Sequence, residues 1–231
     1  MLDNIITSNE RTARNFFIQI IERDFIIEKK MIRISANFKS FLLLYCYQMT
    51  HKIQPFILVG IENTKRGRDL TGFSESEYDK QYCPITDGAK DFRAFIAEEL
   101  IPTIHQKYRT TNRKGIIGES LAGLFVMETF FTSPNAFDFY IAMDPSLWWN
   151  NHYLAKNADS LLSNFPNQTI KLWFAGSNAK DISEFTQSVE KSLKANAPRQ
   201  LSWKYSDEPK EKHHTIFRAT KEKALIWTLN E

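Results

Sequence analysis

The chain has few cysteines and no long apolar run. Two cysteines in 231 residues, Cys46 and Cys83, are too few for a disulfide framework and too far from paired histidines for a zinc site. We therefore expect each to be a small apolar residue in a reducing compartment. The most apolar stretch, Phe41 to Tyr47, is much shorter than a membrane-spanning helix. The first ten residues lack the basic start and apolar run of a secretory signal, so the sequence predicts a cytoplasmic protein without a membrane partner.

No part of the chain concentrates charge of one sign. Its 30 Lys and Arg residues are interspersed with 27 Asp and Glu residues, for a net charge of +3. A nucleic-acid site would need clustered basic residues, so no nucleic-acid partner is predicted. Hydrophobic residues make up 42% and charged residues 25% of the chain. These proportions exclude a disordered chain and are typical of one globular domain over residues 1–231, either a monomer or a homodimer.

Turn-forming residues are absent from the first part of the chain. The first proline is Pro55 and the first glycine is Gly60. Tight turns usually need one of these residues, or well-placed Asn and Asp, so a meander of short strands is difficult to place in residues 1–54. The segment 14–31 mixes apolar and charged residues, and it fits either an amphipathic helix or two strands. We therefore treat 1–54 as an atypical N-terminal segment and 55–231 as the core of the domain.

Apolar strands alternate with amphipathic helices from residue 55 onward. Short apolar runs bounded by turns suit strands covered on both faces, and apolar residues three or four apart indicate helices. The predicted strands are 56–61, 115–118, 139–143, 170–174 and 201–205, and the predicted helices are 89–108, 121–131, 182–193 and 219–229. The polar segment 62–88 is predicted to be a long loop. The alternation predicts an α/β fold, a mostly parallel sheet with helices on both faces.

A serine stands at the turn between the second of these strands and the next helix. The segment Gly118-Glu119-Ser120-Leu121-Ala122 follows the pattern G-x-S-x-G, with alanine as the last small residue. A serine at such a turn exposes its hydroxyl, and the helix behind it offers backbone N–H groups to developing negative charge. The alternative is an ordinary helix-capping serine. The strand–turn–helix context favours a catalytic nucleophile.

A catalytic serine needs a base, and the usual chain order in this architecture is serine, acid, histidine. His213 and His214 follow the last predicted strand and precede the final helix, where the histidine loop belongs. The acid is expected after the fourth predicted strand, where Asp181 stands close to the usual place and Glu184 follows it. Asp181 could equally cap the next helix, and Asp144, at the end of the preceding strand, competes with it. A serine–histidine pair without an acid is a further alternative.

Several motifs form a series along the chain. They are Val59-Gly60-Ile61-Glu62-Asn63-Thr64, Glu98-Glu99-Leu100-Ile101-Pro102, Gly118-Glu119-Ser120-Leu121-Ala122-Gly123, Asp144-Pro145-Ser146-Leu147-Trp148-Trp149 and His213-His214-Thr215-Ile216-Phe217. In this order they resemble the Putative esterase family, the esterase-D-like branch of the α/β-hydrolases, which includes the siderophore trilactone esterases. The resemblance covers about residues 54–229 and implies an α/β-hydrolase fold.

Carried over residue by residue, the resemblance implies six site positions. They are Ser120 as nucleophile, His213 as base, the Leu121 N–H as oxyanion donor, and Arg68, Trp148 and Trp149 at the substrate entrance. His213 is preferred to its neighbour because one residue separates the family's histidine from the Thr-Ile pair. The family usually opens with several strands, one of which leads to a second oxyanion donor. Residues 1–54 show no clear counterpart, so we expect truncated or diverged N-terminal strands.

Two functional hypotheses follow from these residues. The first is a serine ester hydrolase that forms an acyl-enzyme with a small-molecule carboxylic ester, without a metal or organic cofactor. The second is a catalytically impaired protein of the same fold that acts as a binding or interaction module. A marginally stable fragment with an exposed sheet edge is a third possibility.

Overall fold

A single mixed sheet organises the protein in the computed structural model, which describes residues 14–21, 31–36, 38–45, 56–62 and 65–230. Eight strands are formed within these ranges: β1 (Arg14–Ile21), β2 (Met31–Ala36), β3 (Phe38–Tyr45), β4 (Phe56–Glu62), β5 (Thr110–Glu119), β6 (Phe139–Met143), β7 (Ile170–Ser177) and β8 (Leu201–Glu208). Their spatial order is β2-β3-β4-β1-β5-β6-β7-β8. The strands from β4 to β8 in this order are parallel, and β3 runs antiparallel to both of its neighbours. The prediction of a mostly parallel sheet is confirmed.

Helices cover both faces of this sheet. They are α1 (Arg66–Leu70), α2 (Glu77–Tyr82), α3 (Ala89–Phe95), α4 (Ile101–Lys107), α5 (Leu121–Thr132), α6 (Trp149–Lys156), α7 (Ala158–Leu162), α8 (Lys180–Asn196) and α9 (Ile216–Leu229). A π-helical turn, Ile96–Leu100, joins α3 to α4. Successive side chains of a strand point to opposite faces, and β7 shows the result. Leu172 and Phe174 join the core with α5 and α8, whereas Trp173 and Ala175 join the core with α9.

Two of the expected loop and turn assignments are wrong. Residues 62–88, predicted to be a loop, contain the short helices α1 and α2. Segment 1–54 contributes three strands despite its lack of glycine and proline. Strand β1 lies between two parallel neighbours, β4 and β5, so it needs no tight hairpin turn. Strands β2 and β3 are antiparallel neighbours in which Ala36 pairs with Phe38. The residue between these two in sequence is Asn37, and asparagine is one of the residues that favour turns.

The structure describes one of the two cysteines that were predicted to be small apolar residues. Cys83 is a buried free thiol in the larger core. Burial raises the pKa of this thiol above its ordinary value, as expected of a small apolar residue. Cys46 lies outside the described residues. In the part of the chain that the structure describes, no helix is both long enough and apolar enough to span a membrane.

A tyrosine in β8, one of the two edge strands, is expected to make folding stability sensitive to alkaline pH. Burial raises the pKa of Tyr205 to about 12, and its hydroxyl lies 3.2 Å from Thr186 Oγ1. An unfolded tyrosine ionises near pH 10, so above that pH the unfolded chain loses a proton that the folded chain keeps. This contribution to stability is therefore complete below about pH 10 and is lost as pH rises toward 12.

We expect Tyr205→Phe to reduce the fall in Tm between pH 9.5 and 11.5, measured by circular dichroism. Below pH 9 the two proteins should show the same dependence of Tm on pH, because neither state ionises this phenol there. An alkaline slope equal to that of the wild type would contradict the assignment.

Candidate active site

The turn between β5 and α5 holds Ser120 in a strained backbone conformation. Its φ of 59° and ψ of −123° lie in a region that costs a non-glycine residue about 1–3 kcal/mol. A Cβ on Gly118 would overlap the main-chain carbonyl of Ala122, and one on Gly123 would lie 3.0 Å from Pro145 Cα. Small residues are therefore required on both sides of the serine, as the motif predicted.

Hydrogen bonds to the segment after β6 hold this turn in place. The Ser120 N–H donates to the Met143 carbonyl at 3.0 Å, and the Ser146 N–H donates to the Ser120 carbonyl at 3.1 Å. Helix α5 is buried along almost its whole length, so the serine sits at the end of a rigid core element. Its side chain is consequently presented at the carboxyl edge of the parallel strands.

His213 lies beside this serine. It belongs to the loop between β8 and α9, and its Nε2 is 3.1 Å from Ser120 Oγ. Its Nδ1 is 2.9 Å from Asp144 Oδ2. The imidazole therefore bridges a hydroxyl and a carboxylate, the arrangement in which a histidine can take a proton from the one while the other orients it.

Asp144 is a fully buried carboxylate directly after β6. It receives two hydrogen bonds of 2.6 Å from Ser177, the main-chain N–H donating to Oδ1 and the hydroxyl donating to Oδ2. With His213 on Oδ2, the carboxylate has three polar partners. A buried charge needs such partners to offset its lost hydration.

The structure does not bring Asp181, the expected acid, to the histidine. Asp181 and Glu184 are exposed on the first turns of α8, and the side chain that meets His213 Nδ1 is that of Asp144. Strands β6 and β7 are neighbours and parallel, so their carboxyl ends reach the same edge. A carboxylate can therefore approach the histidine from either strand, and Ser177 occupies the end of β7.

Leu121, the expected oxyanion donor, is the first residue of α5. The first N–H groups of a helix have no acceptor within the helix, and they lie at the positive end of its dipole. The Leu121 N–H is therefore adjacent to the serine and suitable for stabilising negative charge. A second donor was expected from segment 1–54, and the residues between the strands of that segment lie outside the described ranges.

The three residues expected at the substrate entrance have different environments. Trp149 is only 4% exposed, and its indole N–H donates to the Gly72 carbonyl at 3.2 Å. It therefore packs inside the protein and is not available to a substrate, which corrects the expectation. Trp148 is partly exposed. The Arg68 guanidinium pairs with the buried carboxylate of Asp69 through Nε at 2.7 Å.

Residues 34–228 match the model of the family described as Putative esterase. The chain belongs to the Putative esterase family. It is 36% identical over 122 residues to the ferri-bacillibactin esterase BesA of Bacillus subtilis (strain 168), which covers 47% of this chain and 42% of that protein. It is 38% identical over 79 residues to the siderophore enterobactin esterase of Emericella nidulans, which covers 33% of this chain and 26% of that protein. These matches span less than half the length of either relative.

A solved structure shares the fold of this esterase-family chain. The IroE-like serine hydrolase from Shewanella oneidensis superimposes with a TM-score of 0.74 at 21% identity, over 93% of this chain and 70% of that one. At this identity the likeness concerns the fold alone. The α/β-hydrolase fold implied by the sequence motifs is confirmed.

The sequence analysis of this esterase-family protein missed an aromatic cluster and the buried aspartate that connects its two parts. Tyr78 and Tyr82, on α2, are 66% and 55% exposed, and their rings meet Trp148 edge-on at 5.9 and 5.2 Å. Buried Asp79 links α2 to the same segment, because its Oδ2 accepts the Asn150 N–H at 2.6 Å. The signal in the sequence was the i, i+4 spacing of the two tyrosines, hidden by the assignment of 62–88 to a loop.

Proposed function

We propose that the protein is a serine ester hydrolase that works through an acyl-enzyme. The observation that carries the proposal is the position of the His213 imidazole, between Ser120 Oγ at 3.1 Å and Asp144 Oδ2 at 2.9 Å. His213 Nε2 accepts the serine proton as Oγ attacks the ester carbonyl. The protonated imidazole then donates that proton to the leaving alcohol, and an acyl group remains on Ser120.

Water completes the reaction in the second half. His213 Nε2 accepts a proton from a water molecule, whose oxygen attacks the acyl carbonyl. The bond to Ser120 Oγ breaks, Oγ recovers the proton, and a carboxylic acid leaves. The Leu121 N–H stabilises the oxyanion in both halves. Asp144 accepts the Nδ1 hydrogen, which holds the ring orientation and stabilises the imidazolium.

We further propose that the substrate is a siderophore ester. The two curated relatives are named for ferri-bacillibactin and for enterobactin as their substrates. The cluster formed by exposed Tyr78 and Tyr82 with partly exposed Trp148 supports a substrate with planar groups, because aromatic rings gain from edge and stacking contacts.

The proposal is tested by incubating the purified protein with ferri-bacillibactin, with ferric enterobactin and with p-nitrophenyl acetate. We expect the two siderophores to be opened to linear hydroxy acids, measured by liquid chromatography and mass spectrometry. Hydrolysis of the nitrophenyl ester alone would refute the substrate class and keep the mechanism. No turnover of any ester by a folded protein would favour the catalytically impaired binding module.

A further inference from the structure

Ser177 has no place in the reaction described above, yet its contacts are directed at the acid. It is the last residue of β7 and is buried. Both of its hydrogen-bond donors are used on one carboxylate, the main-chain N–H on Asp144 Oδ1 and the hydroxyl on Asp144 Oδ2. The hydroxyl oxygen in turn accepts the Ala179 N–H at 3.2 Å. This bond leaves the hydroxyl hydrogen pointing to Asp144.

The strand register explains why the carboxylate is available to Ser177. The Asp144 N–H donates to the Ala175 carbonyl at 2.9 Å. In a parallel ladder that continued regularly, the N–H of Ser177 would then donate to the main-chain carbonyl of Asp144. The φ of Asp144 is 44°, which ends the regular strand, and the N–H of Ser177 bonds to the side chain instead. The carboxylate thus replaces its own main-chain carbonyl as the acceptor.

These contacts orient the carboxylate toward the histidine. A side chain held by one oxygen can still rotate, whereas partners on both oxygens define its plane. With Oδ1 held by the Ser177 N–H, Oδ2 is directed at His213 Nδ1 at 2.9 Å. The left-handed φ of Asp144 is strained in a non-glycine residue, and the charge-assisted hydrogen bonds from Ser177 stabilise this conformation.

We infer that Ser177 is the positioning residue of this site, which sets the orientation of Asp144 and through it that of the His213 ring. The inference rests on the proposed function. It also explains why the end of β7, where the acid was expected, holds a serine. The acid directly follows β6, and the neighbouring strand β7 supplies the donors that orient it.

The test is the Ser177→Ala variant, which removes the hydroxyl and keeps the main-chain N–H. Because this removes a charge-assisted hydrogen bond that orients the acid, we expect kcat to fall about 10- to 100-fold. KM should stay within about twofold of the wild-type value, because Ser177 does not touch the substrate. Thr228→Val is the control, since it removes a buried hydroxyl that bonds to Ala224 on α9. It should lower Tm and leave kcat unchanged.

A second variant keeps the inference testable if Ser177→Ala does not fold. Ser177→Cys is close to isosteric but offers only a weak S–H donor, whereas Ser177→Thr keeps the hydroxyl that bonds to Asp144 Oδ2. We expect kcat to fall about fivefold or more in Ser177→Cys and to stay within about threefold of the wild type in Ser177→Thr. Wild-type kcat in folded Ser177→Ala or Ser177→Cys would overturn the inference. An inactive wild-type protein would instead refute the proposed function.

Discussion

Replacing Ser120 by alanine is expected to lower ester hydrolysis by a factor of at least about 10⁴. The serine oxygen forms the acyl-enzyme, and no neighbouring side chain can replace it, because its presentation depends on the turn between β5 and α5. Removing the nucleophile of a catalytic triad typically removes most of the rate enhancement. Folding should be preserved, because the hydrogen bonds that hold the turn are made by the main chain and the substitution removes none of them.

A fluorophosphonate probe read by peptide mass spectrometry measures the same property without a known substrate. We expect one modified peptide, carrying the label on Ser120, and none in Ser120→Ala. The label should also be lost in His213→Ala, because the base that activates the hydroxyl is removed. Ser133→Ala is the matched control, because Ser133 lies at the other end of α5. This variant should still be fully labelled on Ser120. Full labelling of Ser120 in His213→Ala would contradict the role of the histidine.

Asp144→Asn is expected to reduce kcat about 10³- to 10⁴-fold, whereas Asp181→Asn should stay within about twofold of the wild type. The neutral amide of asparagine lacks the negative charge that stabilises the imidazolium. Its N–H can also donate to His213 Nδ1, which favours the wrong tautomer of the ring. Asp181 is exposed on α8 and does not meet His213. The two variants thus compare the carboxylate that directly follows β6 with the one at the position that the sequence predicted for the acid.

The measurement is kcat with a nitrophenyl ester, together with Tm for each variant. Asp144→Asn leaves an amide where Ser177 donates two hydrogen bonds, so some loss of stability is expected. Activity per folded molecule separates this loss from the catalytic effect. A large effect in Asp181→Asn with little effect in Asp144→Asn would restore the acid expected from the sequence.

The positions of the serine and the histidine were predictable because local patterns determine them. Ser120 follows an apolar strand and precedes a helix, with Gly118 and Ala122 supplying the small residues that the turn requires. His213 falls in the segment between the last strand and the last helix. In a parallel sheet, segments that follow the strands come together at one edge. Order along the chain therefore predicts proximity in space for these two residues.

The acid and the aromatic cluster were not predictable in the same way. Both Asp144 and Asp181 follow strands that end at the shared edge, and only the left-handed backbone of Asp144 and the donors of Ser177 select between them. Trp148 and Trp149 are adjacent in sequence, yet one is partly exposed and the other is buried against Gly72. Residue type does not show which of two adjacent tryptophans is buried, because burial depends on which side chain a distant segment packs against.

The sequence by itself determined the strand–helix alternation, the serine turn and the histidine loop, since each depends on residues close together along the chain. The tertiary structure alone decided the strand order, with β1 placed between β4 and β5, and the partner of His213. These features depend on hydrogen bonds between segments far apart in the chain. Several pairings of such segments satisfy the same local pattern, and packing and register select one of them.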